Sequence, residues 1–393
     1  RIESRGLGDV YKRQVIHYLG FGDNQLAEKA LKMGLDQHPG SHELMLLQSE
    51  MLILDQKYDM ALELLEYIEK VHPFDEEIAL QKASIASKKG DHKTSVKQLH
   101  QALNNSENPL DIWNLLGMEH LLAEEFEEAS FFFKKCIDEN PEDYPSLYNF
   151  LYCQEQTGQI EKATACLNKI LEYNPYCEVA WHQLGKILIK SGKFKEALSA
   201  FDFAIISDDT FTGAYIEKGN LLESIGKTNE AIQNYEVAMN TTDPTSFIHK
   251  CIGRCHENLG NIYLAKKFYL KSIQLEPSNE NSWESLILFF INQKKYSKAE
   301  YYLNRALEIN SDSTNLWKKS LELNALNGKQ ERVRISSNRL VELGNSKSDI
   351  FIHLIDFFIE KKVWVNAYEF AEEAVSSFPK NKNLALRLSL IHI

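Results

Sequence analysis

Trp113 to Pro141 reads WNLLGMEHLLAEEFEEASFFFKKCIDENP, and the order of its residue types decides the fold. Trp113 and Leu116 set large apolar groups one turn apart on a first helix. Gly117 and Ala129 are small enough to let a second helix cross closely. Phe133 then falls in the seam between the two helices, and Pro141, lacking a backbone N–H, stops the second. The stretch predicts one antiparallel helical hairpin.

Steps of 34 residues outward from Ala129 land on Ala27, Ala61, Ser95, Ala163, Ala197, Ala231, Ala265, Ala299, Val333 and Ala367, eleven registers without insertion or deletion. Four residues beyond each lie Leu31, Leu65, Leu99, Phe133, Leu167, Phe201, Tyr235, Tyr269, Leu303, Ser337 and Ala371, mostly large and apolar as a seam requires. Five before come Gly22, Gly90, Gly158, Gly192, Gly226, Gly260 and Gly328, where a left-handed residue would end the first helix. Sixteen before come Trp113, Trp181, Tyr215, Trp283, Trp317 and Phe351; twelve after come Pro39, Pro73, Pro141, Pro175, Pro277 and Pro379. Ser95 and the Val333/Ser337 pair depart from the pattern, and looser packing is expected at both.

The string Trp113-x-x-Leu116-Gly117-x-x-His120, Ala129-x-x-x-Phe133, Pro141 resembles the tetratricopeptide repeat, with His120 where that family usually has Tyr. The coupled signals extend the resemblance over residues 15–387 and point to a multi-repeat, bacterial member. It implies an all-α fold, a right-handed superhelical solenoid of about eleven 34-residue helix-turn-helix repeats. A 35-residue RNA-reading repeat would drift by about ten residues over this length, and no drift is present.

The two ends carry a different signature. Asp9 to Gln14 is the translation of GATGTGTATAAGAGACAG, the end of a transposase sequencing adapter, and Leu388 to Ile393 translates its reverse complement. Residues 1–14 and 388–393 are therefore expected to be translated adapter, flanking a single repeat domain, 15–387, that is a gene fragment open at both ends.

With 44 basic and 56 acidic residues, the chain carries a formal net charge of −12. That balance argues against a non-specific nucleic-acid or anionic-membrane surface, since both need net basic patches. No apolar run approaches the roughly 20 residues of a membrane span. The six cysteines, Cys136, Cys153, Cys166, Cys177, Cys251 and Cys255, form neither a disulfide framework nor a paired C-x-x-C zinc pattern. Cys251-x-x-x-Cys255-His256 misses the haem-attachment spacing and reads as packed thiols, which suits a reducing, cytoplasmic setting.

The sequence contains no G-x-S-x-G, H-E-x-x-H, G-x-x-x-x-G-K-[ST] or G-x-G-x-x-G. No catalytic residue, cofactor or metal ligand is assigned, and no oligomeric state follows. His182 lacks a nucleophile placed by the repeat geometry and reads as a packed or groove histidine.

The resemblance implies that first helices line a concave side where partner peptides bind, at positions fifteen and eleven residues before each small residue. These read Asn114/Met118, Tyr148/Tyr152, His182/Lys186, Ile216/Asn220, Lys250/Arg254, Glu284/Leu288 and Lys318/Glu322, with Lys190 and Asn258 one turn on. Tyr148, Tyr152, His182, Lys186, Lys190, Asn220, Lys250 and Arg254 combine aromatic platforms, an amide and cations, suited to an acidic or carboxylate-bearing peptide. The alternative reading is that these part-exposed positions merely keep the surface wet. Chaperone-tail binding is not expected, because Ser285 stands where the family's carboxylate clamp needs Asn. Two functions fit: a non-catalytic protein-binding scaffold, or the docking or sensing arm of a larger enzyme or of a secretion or membrane component.

Overall fold

The structure, a computed structural model, describes residues 2–73, 75–241 and 245–392; it is all-α, with 23 helices and no strand among the described residues. Arg1 and Ile393 of the two expected adapter segments lie outside them.

The chain forms two compact units, Arg1–Pro175 and Tyr176–Ile393. The first holds five hairpins: α1 (Ile2–Gly20) with α2 (Asn24–Gln37), α3 (His42–Leu54) with α4 (Tyr58–Val71), α5 (Glu76–Lys88) with α6 (His92–Asn105), α7 (Leu110–Leu122) with α8 (Phe126–Glu139), and α9 (Tyr144–Gln156) with α10 (Ile160–Tyr173). The second holds six: α11 (Glu178–Lys190) with α12 (Phe194–Ser207), α13 (Thr212–Ser224) with α14 (Thr228–Thr241), α15 (Ser246–Asn258) with α16 (Ile262–Leu275), α17 (Glu280–Asn292) with α18 (Tyr296–Ile309), α19 (Thr314–Leu326) with α20 (Gln330–Glu342), and α21 (Lys347–Glu360) with α22 (Trp364–Ser377). A last helix, α23 (Lys382–His392), packs on α22. Both α1 and α23 include residues of the two expected adapter segments.

Each register does what its residue type allows. The predicted turn glycines have φ between 66° and 82°, and the four registers without glycine, Gln56, Glu124, Lys294 and Lys362, adopt φ of 55° to 62° at the same place. The following N–H then bonds five residues back, as Asp91 N–H does to the Ala86 carbonyl at 2.9 Å, which caps the first helix. In the seam, Phe133 and Phe201 are fully buried. Their rings occupy the space a side chain would need at Gly117 and Gly185, where an added Cβ would come within 2.7 and 2.5 Å. Each such burial contributes ~1.5–3 kcal/mol. Indole N–H groups of Trp283 and Trp317 donate to the Pro277 and Ser311 carbonyls at 2.7 and 2.8 Å. Pro141 stands one residue beyond the C-cap Asn140, and that cap has left helical geometry at ψ 97°.

The two irregular registers part company. Ser95 is not loosely packed: it is 1 % exposed, and its hydroxyl donates to the Ala83 carbonyl at 3.0 Å, so the polar atom is satisfied inside the hairpin. Ser337 is different, because it leaves the seam unfilled. A cleft of about 640 Å³ opens between α20, α21 and α22, lined by Val333, Ser337, Phe351, Phe370 and Phe378.

Candidate functional site: the first-helix faces

In the first unit, α9 begins at a cap in which Asp143 accepts from the Ser146 N–H at 3.2 Å, with Pro145 fixing the first turn. That start sets Tyr148 and Tyr152 one turn apart on the outward side of the helix, 43 % and 48 % exposed. The Tyr152 ring meets the edge of Phe126 at 6.1 Å. On the neighbouring first helix, α7, Met118 and Leu122 are also exposed, and the Asn149 amide lies 3.5 Å from the Met118 sulfur. Asn114 is drawn into the packing by donating to Ser146 Oγ at 3.3 Å. This face is apolar and aromatic.

The second unit offers other chemistry. His182 is 9 % exposed, with its ring against Phe211 at 5.3 Å and Phe201 at 6.0 Å. Burial, helped by Lys186, pushes its pKa down to about 4, so the ring packs as a neutral imidazole, in keeping with a packed or groove histidine. Asn220 accepts from the Tyr235 hydroxyl at 2.7 Å. Arg254 is held by both oxygens of Glu223 at 2.6 and 2.7 Å, so its charge is neutralised in place. Lys250 lies 5.2 Å over the Phe247 ring, while Lys186 is half-buried and Lys190 exposed. Among the more distal groove positions, Glu322 is 2 % exposed and bound by Lys319 and His353 at 3.1 and 2.8 Å.

Glu223 was missed by a reading confined to two positions per repeat, yet the sequence held a signal for it. Where the seam residue is Tyr, at 235 and 269, its hydroxyl needs an acceptor, and the residue eight before the small position is Glu223 or Glu257. The same position is Leu121 or Ile189 where the seam is Phe. Tyr269 donates to Glu257 at 2.8 Å, and the next repeat's Asn292 donates to Glu257 at 3.2 Å. Asn258 makes the matching contact to Glu223 at 3.4 Å.

All six cysteines are free and buried. Burial pushes the Cys153 thiol up to about 11 and the Cys255 thiol up to about 12, away from any nucleophilic state at neutral pH. His256, beside Cys255, stacks on Phe268 with centroids 5.5 Å apart. Among the described residues no group of three or more His, Cys, Asp or Glu is arranged to hold a metal ion, and no helix is long and apolar enough to cross a membrane.

A tetratricopeptide repeat-like domain model matches residues 118–261, and a tetratricopeptide repeat model matches 252–279. Residues 118–279 are tetratricopeptide repeats. This repeat protein is 23 % identical over 197 residues to the tetratricopeptide repeat-containing protein trd-1 of Caenorhabditis elegans, covering 50 % of the chain and 25 % of that protein. It is 22 % identical over 187 residues to anaphase-promoting complex subunit 3 of Schizosaccharomyces pombe, covering 48 % and 28 %. The chain thus spans about a quarter of the length of these curated relatives. Its fold is similar to that of yeast Tom70, with a TM-score of 0.51 at 13 % identity, covering 98 % of this chain and 95 % of that one.

Proposed function

We propose that this repeat protein is a non-catalytic scaffold whose first-helix faces, the concave side that the family resemblance implies, bind a segment of another protein. One observation carries the reading: Tyr148 and Tyr152 are 43 % and 48 % exposed one turn apart on α9, and Met118 and Leu122 are exposed on the neighbouring first helix α7, which together present large apolar and aromatic side chains to solvent. The anaphase-promoting complex relative, which by its name is a subunit of an assembly, supports it. Lys186, Lys190, Lys250, Arg254 and Asn220 are proposed as a second, polar and cationic contact for a carboxylate on the partner. Six free, buried thiols favour a cytoplasmic location within the same proposal. A second reading, the docking arm of a larger protein, is favoured by the greater length of the curated relatives.

The test is affinity capture with the full chain and two variants, Tyr148→Ser/Tyr152→Ser and Lys186→Glu/Lys190→Glu/Lys250→Glu. Tyr148, Tyr152 and Lys190 are exposed and Lys186 and Lys250 half-buried, so circular dichroism checks that both variants keep their helices, and partner capture falls in both. Retention of every partner by both folded variants would sink the proposal.

A further inference from the structure

Val333 and Ser337 mark the register where both hairpin-closing positions depart from the pattern, a β-branched residue replacing a small one and a small polar residue replacing a large apolar one. At Ser95 the hairpin closes around its substitution. Here about 640 Å³ stays open, walled by Val333 and Ser337 on α20, Ile350, Phe351 and Leu354 on α21, and Phe370 on α22. Ile350 and Leu354 are buried, whereas the rings of Phe351, Phe370 and Phe378 are half-buried around the cleft. Water in so apolar a space finds few hydrogen-bond partners, and a ligand with an apolar body displaces it favourably.

Shape and charge narrow the class of ligand. Gln330, the first residue of α20, and Asn338 both line the cleft, which makes it ~12 Å long at 1.5 Å rise per residue. About 20 water-sized groups at ~30 Å³ each fill its volume. A helix of that length, ~10 Å across, needs more room than this. An extended peptide brings backbone N–H and C=O groups that apolar walls cannot satisfy. A hydrocarbon chain meets both limits. Four charged side chains line the cleft, and two of them, Arg334 and Glu331, are spent on each other at 2.8 Å. Among the described residues Lys347 and Glu373 are in no ion pair. Lys347 opens α21 at the end where the Phe351 and Phe378 rings meet at 6.2 Å, and Asn338, near the end of α20, adds an amide donor to the lining.

We propose that this cleft binds a long-chain carboxylate of the fatty-acid class, its head group at Lys347 and Asn338 and its chain along Phe351, Phe370 and the gap left by Ser337. A lysine cation and an amide N–H are the donors a carboxylate takes. Glu373 opposes an anion, so its neutralisation tightens binding. The site is separate from the faces of the scaffold reading and does not rest on that reading.

Saturation-transfer NMR on the full chain tests it with decanoate, decanol and decylammonium as probes, each below its micelle concentration. Decanoate binds through its chain methylenes, and decanol and decylammonium bind more weakly. Lys347→Gln weakens decanoate about tenfold, Glu373→Gln tightens it about twofold, and Ser337→Leu, which fills the gap, abolishes it. Lys347 and Glu373 are exposed, so both substitutions leave the fold in place. Should Ser337→Leu lose its helical circular dichroism, Lys347→Gln and Glu373→Gln decide the matter by their opposite signs. No binding of decanoate, binding of decylammonium or decanol as tight as that of decanoate, undiminished binding in Lys347→Gln or in folded Ser337→Leu, or weaker binding in Glu373→Gln overturns the proposal.

Discussion

His182 shows how the same residue type changes meaning with burial. Its imidazole is neutral in the folded chain because its pKa lies at about 4, below the ordinary ~6.5 of an unfolded histidine. Protonation therefore favours the unfolded chain: the stability is fully present above pH ~6.5 and is lost as pH falls from there to about 4, by roughly 3 kcal/mol at the lower end. Urea midpoints measured across that window should fall for the native chain and fall less for His182→Leu; parallel curves would refute the assignment. Gly185 makes the complementary case of a residue fixed by a neighbour's volume. A methyl group there would meet Phe201 at 2.5 Å, and that ring is fully buried with nowhere to move. Gly185→Ala should cost ~1–3 kcal/mol, whereas an exposed alanine substitution such as Lys195→Ala should stay near zero in the same denaturation assay.

At the scale of the helical hairpin, the decisive positions are the turn and the seam. Seven turns use glycine and four carry Gln56, Glu124, Lys294 or Lys362 in the same left-handed conformation. A side chain there costs ~1–2 kcal/mol that glycine avoids, offset in part by the unfolded-state entropy of glycine. Lys294→Gly is accordingly expected to raise stability by about 0.5 kcal/mol, and a lower denaturation midpoint would contradict the account. The cleft beside Ser337 has the opposite origin, a seam position too small for its space. Ser337→Leu should fill it, adding ~1 kcal/mol and slowing amide exchange in α20 and α21; unchanged exchange would mean that the cleft is not what loosens them. The hairpins were legible because one residue type recurs at one spacing. Ser95 was misread, since a polar residue at a small position loosens packing only when its hydroxyl lacks an acceptor, and the acceptor, Ala83, comes from the opposite helix.

For the whole molecule, stacked hairpins contact mainly their neighbours, so unfolding need not be all-or-none. Trp113 lies in the first unit and Trp181, Trp283, Trp317 and Trp364 in the second, whereas far-ultraviolet circular dichroism reports helices in both. Tryptophan fluorescence and circular dichroism should give different urea midpoints, and coincident curves would establish a single cooperative unit. The same scale separates the chemistry of the faces: apolar Tyr148 and Tyr152 in the first unit, ion-paired Arg254 and half-buried Lys186 in the second. By itself the sequence determined the 34-residue period, the helical hairpins, their turns and the tetratricopeptide character, because those depend on backbone preferences and on residues close along the chain. Only the tertiary structure decided which first-helix side chains remain available. Glu223 reaches Arg254 across 31 residues, and Phe211 covers His182. Charge and exposure at a site are set by what packs beside it, and in a repeat array that neighbour comes from the next repeat.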